Sequence, residues 1–228
     1  MLPSSSRAAA PKKGVCLSFK RTRRIPGKPP TVEEQKRIID EIEECLSQED
    51  TEVFSFDPCH LQHNVINARM WQPIGKEGTL VVPTNTGRKR INILGALNLR
   101  DLSTIFTLTE ESCNSVRVVD FFMKIREEYL GKRIVIFLDN ARYNHARYTT
   151  TFVEWYNITL IFLPPYSPNV ALIERLWKFS KKELVHNIYY EKFDDFKDNA
   201  CNFFDNLKQY HDELETLLTK KFEIINKA

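Results

Sequence analysis

Residues 133–138 (RIVIFL) form an apolar run of strand length that ends in Asp139 and Asn140. A run that is apolar at consecutive positions, rather than at every second one, indicates a strand buried on both faces. Residues 159–163 form a second run of this kind, and residues 143–156 between them have a helical pattern. Buried strands that alternate with helices predict an α/β domain.

The other predicted elements make the sheet of this domain a mixed one. Residues 52–56 alternate in a β pattern, and the proline at position 58 is expected to end this strand at Asp57. Residues 91–99 and 103–108 are β-rich runs around Arg100 and Asp101, which favours a hairpin. Helices that flank the sheet are predicted from an N-cap at Thr31 to about residue 47, from a cap at Ser112 through Leu130, over about 170–186, and over 193–218.

Positive charge is concentrated at the start of the chain. The net charge is only +3, but residues 1–30 contain eight basic residues and no acidic one, so the remaining 198 residues carry −5. The sequence therefore predicts a basic flexible arm or linker over residues 1–30 and a folded domain over residues 31–228. Arg21, Arg23 and Arg24 are expected to contact DNA phosphates, although an arm that only keeps the protein soluble has the same composition.

The cysteines are informative about compartment. All five are scattered and none forms a CxxC pair, which argues against a disulfide framework and for a reducing environment. Cys59, His60 and His63 are close in sequence, but no second ligand pair with zinc spacing accompanies them. No apolar run approaches the roughly 18 residues that cross a bilayer, and no secretory signal is recognisable. We expect an intracellular protein that does not contact a membrane.

Three carboxylates occupy positions that the predicted fold would bring together. Asp57 and Asp139 each follow a predicted strand, and ligand sites of α/β sheets lie at such strand ends. Glu174 lies in the helix of residues 170–186 and shares a face with the lysines of that helix, Lys178, Lys181 and Lys182. On the helix alone, ion pairing between residues three or four apart explains this pattern. With both aspartates included, the three carboxylates would converge.

Converging carboxylates without a His or Cys partner suit Mg²⁺ or Mn²⁺. Two such ions can activate an attacking water or 3′-hydroxyl and stabilise the leaving oxygen of a phosphodiester. The neighbouring lysines would hold the phosphate backbone. Trp177 lies on the apolar face of the same helix, roughly 100° around from Glu174 and the lysines, and is predicted to be a core residue.

The sequence around these carboxylates resembles the DDE transposases of the bacterial insertion-sequence branch of the mariner-like superfamily. The matching motifs are FSFDPCHLQHN at Asp57, IVIFLDNARYNHA at Asp139 and LPPYSPNVALIERLWK at Glu174, with 34 residues between the last two carboxylates. The resemblance covers about residues 15–185. It implies a ribonuclease H-like fold, metal-dependent cleavage of double-stranded DNA at transposon ends, and strand transfer into target DNA. Asp57, Asp139 and Glu174 would be the catalytic ligands of two Mg²⁺ or Mn²⁺ ions.

The resemblance also implies partners and a location. Two transposon ends must be brought together, so a homodimer is expected, in the bacterial cytoplasm and associated with the nucleoid. Full-length relatives carry two helix-turn-helix modules of which at most the tail is expected here, so a helix-turn-helix protein from an upstream frame is a further expected partner. Val170 and Ala171 replace the Leu-Asn that is common before the glutamate. Two alternatives stay open: a truncated or repurposed transposase that binds DNA without catalysis, and another nuclease of the same fold.

Three polar residues near the carboxylates are candidates for a supporting role. His60 would support the metal site or face a loop. His145 would make a polar contact near the site or be an ordinary helix histidine. Asn140 would contact the site or serve only the turn after its strand, where asparagine is common.

Overall fold

A computed structural model describes residues 29–165, 167, 170–219, 222 and 224–225. Within these residues a five-stranded sheet has the order β3-β2-β1-β4-β5; β1 is antiparallel to β2 and parallel to β4, β2 is antiparallel to β3, and β4 is parallel to β5. The strands are β1 (Thr51–Gln62), β2 (Arg90–Asn98), β3 (Thr104–Thr109), β4 (Arg133–Leu138) and β5 (Ile158–Phe162). The α-helices are α1 (Val32–Ser47), α2 (Ser115–Glu128), α3 (Arg147–Trp155), α4 (Ile173–Val185), α5 (Phe193–Asp205) and α6 (His211–Leu217).

Each face of the sheet is buried under helices. In β4, Val135 and Phe137 pack into the core beneath α1, α4 and α5, whereas Ile134 and Ile136 pack into the core beneath α2 and α3. This two-sided burial is the physical reason why β4 is apolar at consecutive positions. The mixed sheet flanked by helices that the sequence predicts is confirmed.

β1 corrects the predicted end of the first strand. The prediction ended it at Asp57 because of Pro58, but β1 continues to Gln62, paired with β2 over the whole of its second half. The Leu99 amide donates to the Val53 carbonyl at 2.7 Å, so the backbone polar groups of Val53 point toward the β2 side. These groups point to alternate sides along a strand, so the backbone nitrogen of Pro58, five residues later, points away from β2. On that other side the pairing with β4 has already ended, so a residue without an N–H is tolerated there.

Helix ends differ from the predictions where a local side chain decides them. Asn114, not Ser112, caps α2, because its side chain accepts from the Arg117 amide at 3.0 Å. The helical region predicted over 193–218 is divided into α5, a 3₁₀ turn and α6 at Asn206, whose side chain donates to the Asn202 carbonyl. The capping box at Thr31 is present as predicted, with Glu34 as its partner.

The connection between β1 and β2, residues 63–89, is anchored at its base. The Asn64 side chain accepts from the Asn85 amide at 3.1 Å, and the Asn187 side chain accepts from the Ala68 amide at 2.9 Å. Beyond these anchors Trp71 and Ile74 are fully exposed. Residues 1–28 of the basic arm, with Arg21, Arg23 and Arg24, lie outside the described residues. None of the described helices is both long and apolar enough to cross a membrane.

Candidate active site

Asp57, Asp139 and Glu174 line one cleft of about 600 Å³. The parallel pairing of β1 with β4 ends at Ser55 and Phe137. Asp57 and Asp139 each lie two residues beyond that last pair, so the alternation of side chains places them on the same face of the sheet. Glu174 is in the first turn of α4, which packs on this face of β1. Three elements that are distant in sequence therefore supply one carboxylate each.

The pKa values of Asp57 and Glu174 are both raised in the cleft. Burial, followed by the charges of Asp139 and Glu174, raises the pKa of Asp57 from 3.8 to about 7, although a hydrogen bond from Trp177 and the charge of Lys181 act in the opposite direction. Burial also raises the pKa of Glu174, and Lys178 opposes that rise. Burial therefore contributes most to both shifts, and the neighbouring charges modify them.

Trp177 makes a contact with Asp57 that the sequence did not predict. Its indole Nε1–H donates to Asp57 Oδ2 at 3.0 Å, while its ring is buried in the core as predicted. A buried tryptophan needs an acceptor for its N–H, and this requirement was the available signal. The acceptor itself lies 120 residues away in sequence, so it could be identified only from the folded chain.

Asn144 plays a corresponding part at Asp139. Its fully buried side chain donates from Nδ2 to Asp139 Oδ1 at 3.1 Å and to the Asp139 carbonyl at 3.2 Å. The Ala141 amide donates to the same carboxylate oxygen, also at 3.1 Å. Hydrogen bonds from the turn that follows β4 thus fix the orientation of the exposed Asp139 carboxylate.

The three predicted supporting residues are placed differently from one another. Asn140 lines the cleft and donates to the Leu163 carbonyl at 2.7 Å, which ties the end of β4 to the start of the proline loop. His60 is exposed and lines a separate small pocket together with Lys181. The exposed His145 stacks on Phe162, with ring centroids 4.1 Å apart. The structure therefore brings only Asn140 into the carboxylate cleft.

The three lysines of α4 also have different neighbours. Lys178 is close enough to Glu174, and Lys181 close enough to Asp57, to lower the pKa of each carboxyl group. Lys182 instead pairs with Glu183 at 3.1 Å and lines a groove between α4 and α6, which Lys178 also borders. Two of the three α4 lysines that were predicted to contact phosphates therefore flank the carboxylates.

The donor set of the cleft suits a hard divalent cation. Its described lining contains three carboxylates and no His or Cys. Burial, and after it the charges of Asp139 and Glu174, raises the pKa of Asp57, and a bound cation would favour the ionised form against both effects. Among the described residues no group of three or more His, Cys, Asp or Glu side chains is arranged to hold a metal ion.

The sequence matches one protein family and one curated protein. A family model described as DDE superfamily endonuclease matches residues 52–197. An uncharacterized protein of Sinorhizobium fredii is 32% identical over 71 residues, which are 31% of this chain and 50% of that protein, so the chain spans about half the length of this curated relative.

Solved structures of the Mos1 mariner transposase share the fold. The Mos1 paired end complex with Mn is similar with a TM-score of 0.63 at 17% identity, over 90% of this chain and 64% of that one. The pre-cleavage Mos1 transpososome gives 0.62 at 14%, over 92% and 68%. The Mos1 catalytic domain gives 0.54 at 13%, over 83% and 87%. These similarities confirm the predicted ribonuclease H-like fold.

Proposed function

The chain belongs to the DDE superfamily endonuclease family, and we propose that it is a transposase catalytic domain that cleaves DNA at transposon ends and transfers the cut strand into target DNA. The observation that carries this proposal is the cleft that Asp57, Asp139 and Glu174 line together, each from a different part of the chain. In the proposed division of the chain, residues 31–228 form the catalytic unit and residues 1–30 a basic arm on DNA.

We propose Asp57, Asp139 and Glu174 as the ligands of two Mg²⁺ or Mn²⁺ ions. Such ions supply activation of the attacking hydroxyl and stabilisation of the leaving oxygen in phosphodiester chemistry. The chain's own part is to hold the carboxylates in place: Asn144 fixes Asp139, and helix α4 carries Glu174. Asp57 holds its proton up to about pH 7 and must release it before it can serve as a ligand.

DNA would approach over the mouth of the cleft. Lys178 and Lys181 flank the carboxylates and would contact phosphates, which sets affinity more than sequence choice. Pro164 and Pro165 line the same cleft, and Asn140 anchors the start of their loop through the Leu163 carbonyl. Two of the similar solved structures are paired-end complexes of the Mos1 transposase, which supports a homodimer acting on two DNA ends. A DNA-acting enzyme of this kind would work in the cytoplasm, at the nucleoid.

The direct test is nicking of supercoiled plasmid by the purified chain with Mn²⁺, followed by joining of a 3′-hydroxyl oligonucleotide to the plasmid. Asp139→Asn should abolish both products, whereas Asp120→Asn, at an exposed carboxylate of α2, should leave both unchanged. Equal nicking by Asp139→Asn would refute the assignment of Asp139.

The same assay separates the alternatives. DNA binding with no Mn²⁺-dependent product would identify a repurposed, non-catalytic protein. Preferential cutting of an RNA–DNA hybrid would identify a ribonuclease H instead. Light scattering with and without end DNA tests the dimer, and a mass that stays that of one chain on DNA would contradict it.

A further inference from the structure

Helix α4 supplies two different groups to the cleft. Glu174 provides a carboxylate, and Trp177, three residues later, donates its indole N–H to Asp57 Oδ2 at 3.0 Å. Residues three apart lie on neighbouring positions of a helix surface, so one rigid segment of backbone sets both groups. The first and third carboxylates are therefore linked through α4, although they are 117 positions apart in the sequence.

The strand beside Asp57 is shaped to admit this indole. Gly95 of β2 is the register partner of Asp57, and the indole lies directly over it. A Cβ at position 95 would lie 2.8 Å from Trp177 Cζ2 and 3.2 Å from Phe106 Cδ1, and closer still to Trp177 Cη2. Because none of these ring atoms is the end of a flexible chain, any side chain at position 95 would displace the indole.

A neutral donor has a specific advantage at this position. A lysine or arginine on Asp57 Oδ2 would form an ion pair and cancel the negative charge that attracts a cation. The indole N–H has a single donor and no net charge, so it fixes the orientation of the carboxylate while the charge remains. The burial of Trp177, which is 4% exposed, keeps the donor in one position.

We propose that Trp177 is a positioning residue, which orients Asp57 so that Oδ1 is presented to the metal, and that Gly95 is glycine to make room for it. This inference rests on the proposed function, because it assumes that Asp57 is a ligand. Residues that hydrogen-bond to metal ligands commonly change metal affinity by about tenfold or more when they are replaced.

The first experiment measures Mn²⁺ binding by electron paramagnetic resonance of the free ion. Trp177→Phe removes the donor and keeps an aromatic ring, and it should weaken Mn²⁺ binding about tenfold. Trp155→Phe is the matched control at an exposed tryptophan of α3 and should bind as wild type does. In the nicking assay, Trp177→Phe should recover its kcat at high Mn²⁺ with an unchanged KM for DNA. A purely structural role would lower Tm and leave the Mn²⁺ affinity unchanged.

The second experiment needs no change at Trp177. The chain has three tryptophans, and Trp71 and Trp155 are 101% and 80% exposed, so their indole N–H resonances serve as internal references. Mg²⁺ should shift the Trp177 indole resonance of the wild-type protein and leave the other two in place. Gly95→Ala should shift the same resonance without metal and weaken Mn²⁺ binding, which provides a second route if Trp177→Phe does not fold.

The outcomes separate this proposal from the one that it rests on. Wild type that nicks DNA, with Trp177→Phe and Gly95→Ala binding Mn²⁺ as tightly as wild type, overturns the positioning role and leaves the nuclease assignment intact. If wild type binds Mn²⁺ more tightly than Trp177→Phe but never nicks DNA, the nuclease assignment is overturned and the positioning role is supported. Wild type that binds no Mn²⁺ overturns both.

Discussion

Replacement of Asp57 by asparagine should stabilise the metal-free protein at alkaline pH. The folded chain raises the pKa of this carboxyl group from 3.8 to about 7, through burial and the charges of Asp139 and Glu174. The asparagine side chain has nearly the same shape, and its oxygen can still accept from Trp177. The substitution therefore removes a repelled charge and leaves the packing in place.

The magnitude follows from the difference in pKa between the folded and unfolded chains. The folded protein binds the Asp57 proton more tightly, so this contribution to stability is fully present below about pH 4 and is lost as pH rises through about 7. One pKa unit corresponds to about 1.4 kcal/mol, so ionised Asp57 destabilises the fold by about 4 kcal/mol at pH 8. At pH 5 the same relation gives about 1 to 2 kcal/mol.

Urea unfolding in EDTA at pH 5 and pH 8 measures this difference. The advantage of Asp57→Asn over wild type should grow by about 2 to 3 kcal/mol between the two pH values. Asp120→Asn, at an exposed position of α2, should show no such growth. Mg²⁺ in place of EDTA should stabilise wild type at pH 8 more than the variant, because only wild type retains all three carboxylates. An advantage that is equal at both pH values would refute the electrostatic reasoning.

Three further predictions concern the neighbours of the carboxylates. Asn144→Ala should lower the free energy of unfolding by about 1–3 kcal/mol and reduce nicking, because it removes two hydrogen bonds to Asp139 from a buried site. Urea unfolding measures the change in stability, with Asn199→Ala at an exposed position as the control. Mn²⁺ affinity should rise from pH 6 to pH 8 with release of protons, which calorimetry in buffers of different ionisation enthalpy detects, and a pH-independent affinity would contradict it. Lys178→Gln should weaken DNA binding and flatten its salt dependence by about one unit of slope, as Lys208→Gln on the exposed 3₁₀ turn should not.

The parts of the fold that follow from local pattern were predictable. Residues 134–138 are apolar because β4 is buried on both faces, so this strand and the position of Asp139 could be inferred from the sequence. The end of β1 could not, because Pro58 is tolerated only through the pairing of β1 with β2 and the absence of β4 at that point. Local pattern carries no information about which edge of a strand is free.

The supporting contacts of the site were less predictable than its carboxylates. The carboxylates could be found because motif and spacing mark them. Trp177 could be assigned to the core but not to Asp57, since a periodic pattern gives the direction of a side chain and not the partner of its polar atom. Asn144 and His145 are adjacent in sequence, and only the tight turn after β4 decides that the asparagine is buried against Asp139 and the histidine exposed.

The extension of β1 beyond Asp57 separates the cleft from the long connection that follows. Five more residues of paired strand place the start of that connection about 17 Å from Asp57 along the strand. Its base is held by Asn64 and Asn187, independently of the carboxylates. The exposed tip around Trp71 is therefore a suitable insertion point for a foreign targeting domain, whose attachment there would leave the geometry of the cleft undisturbed.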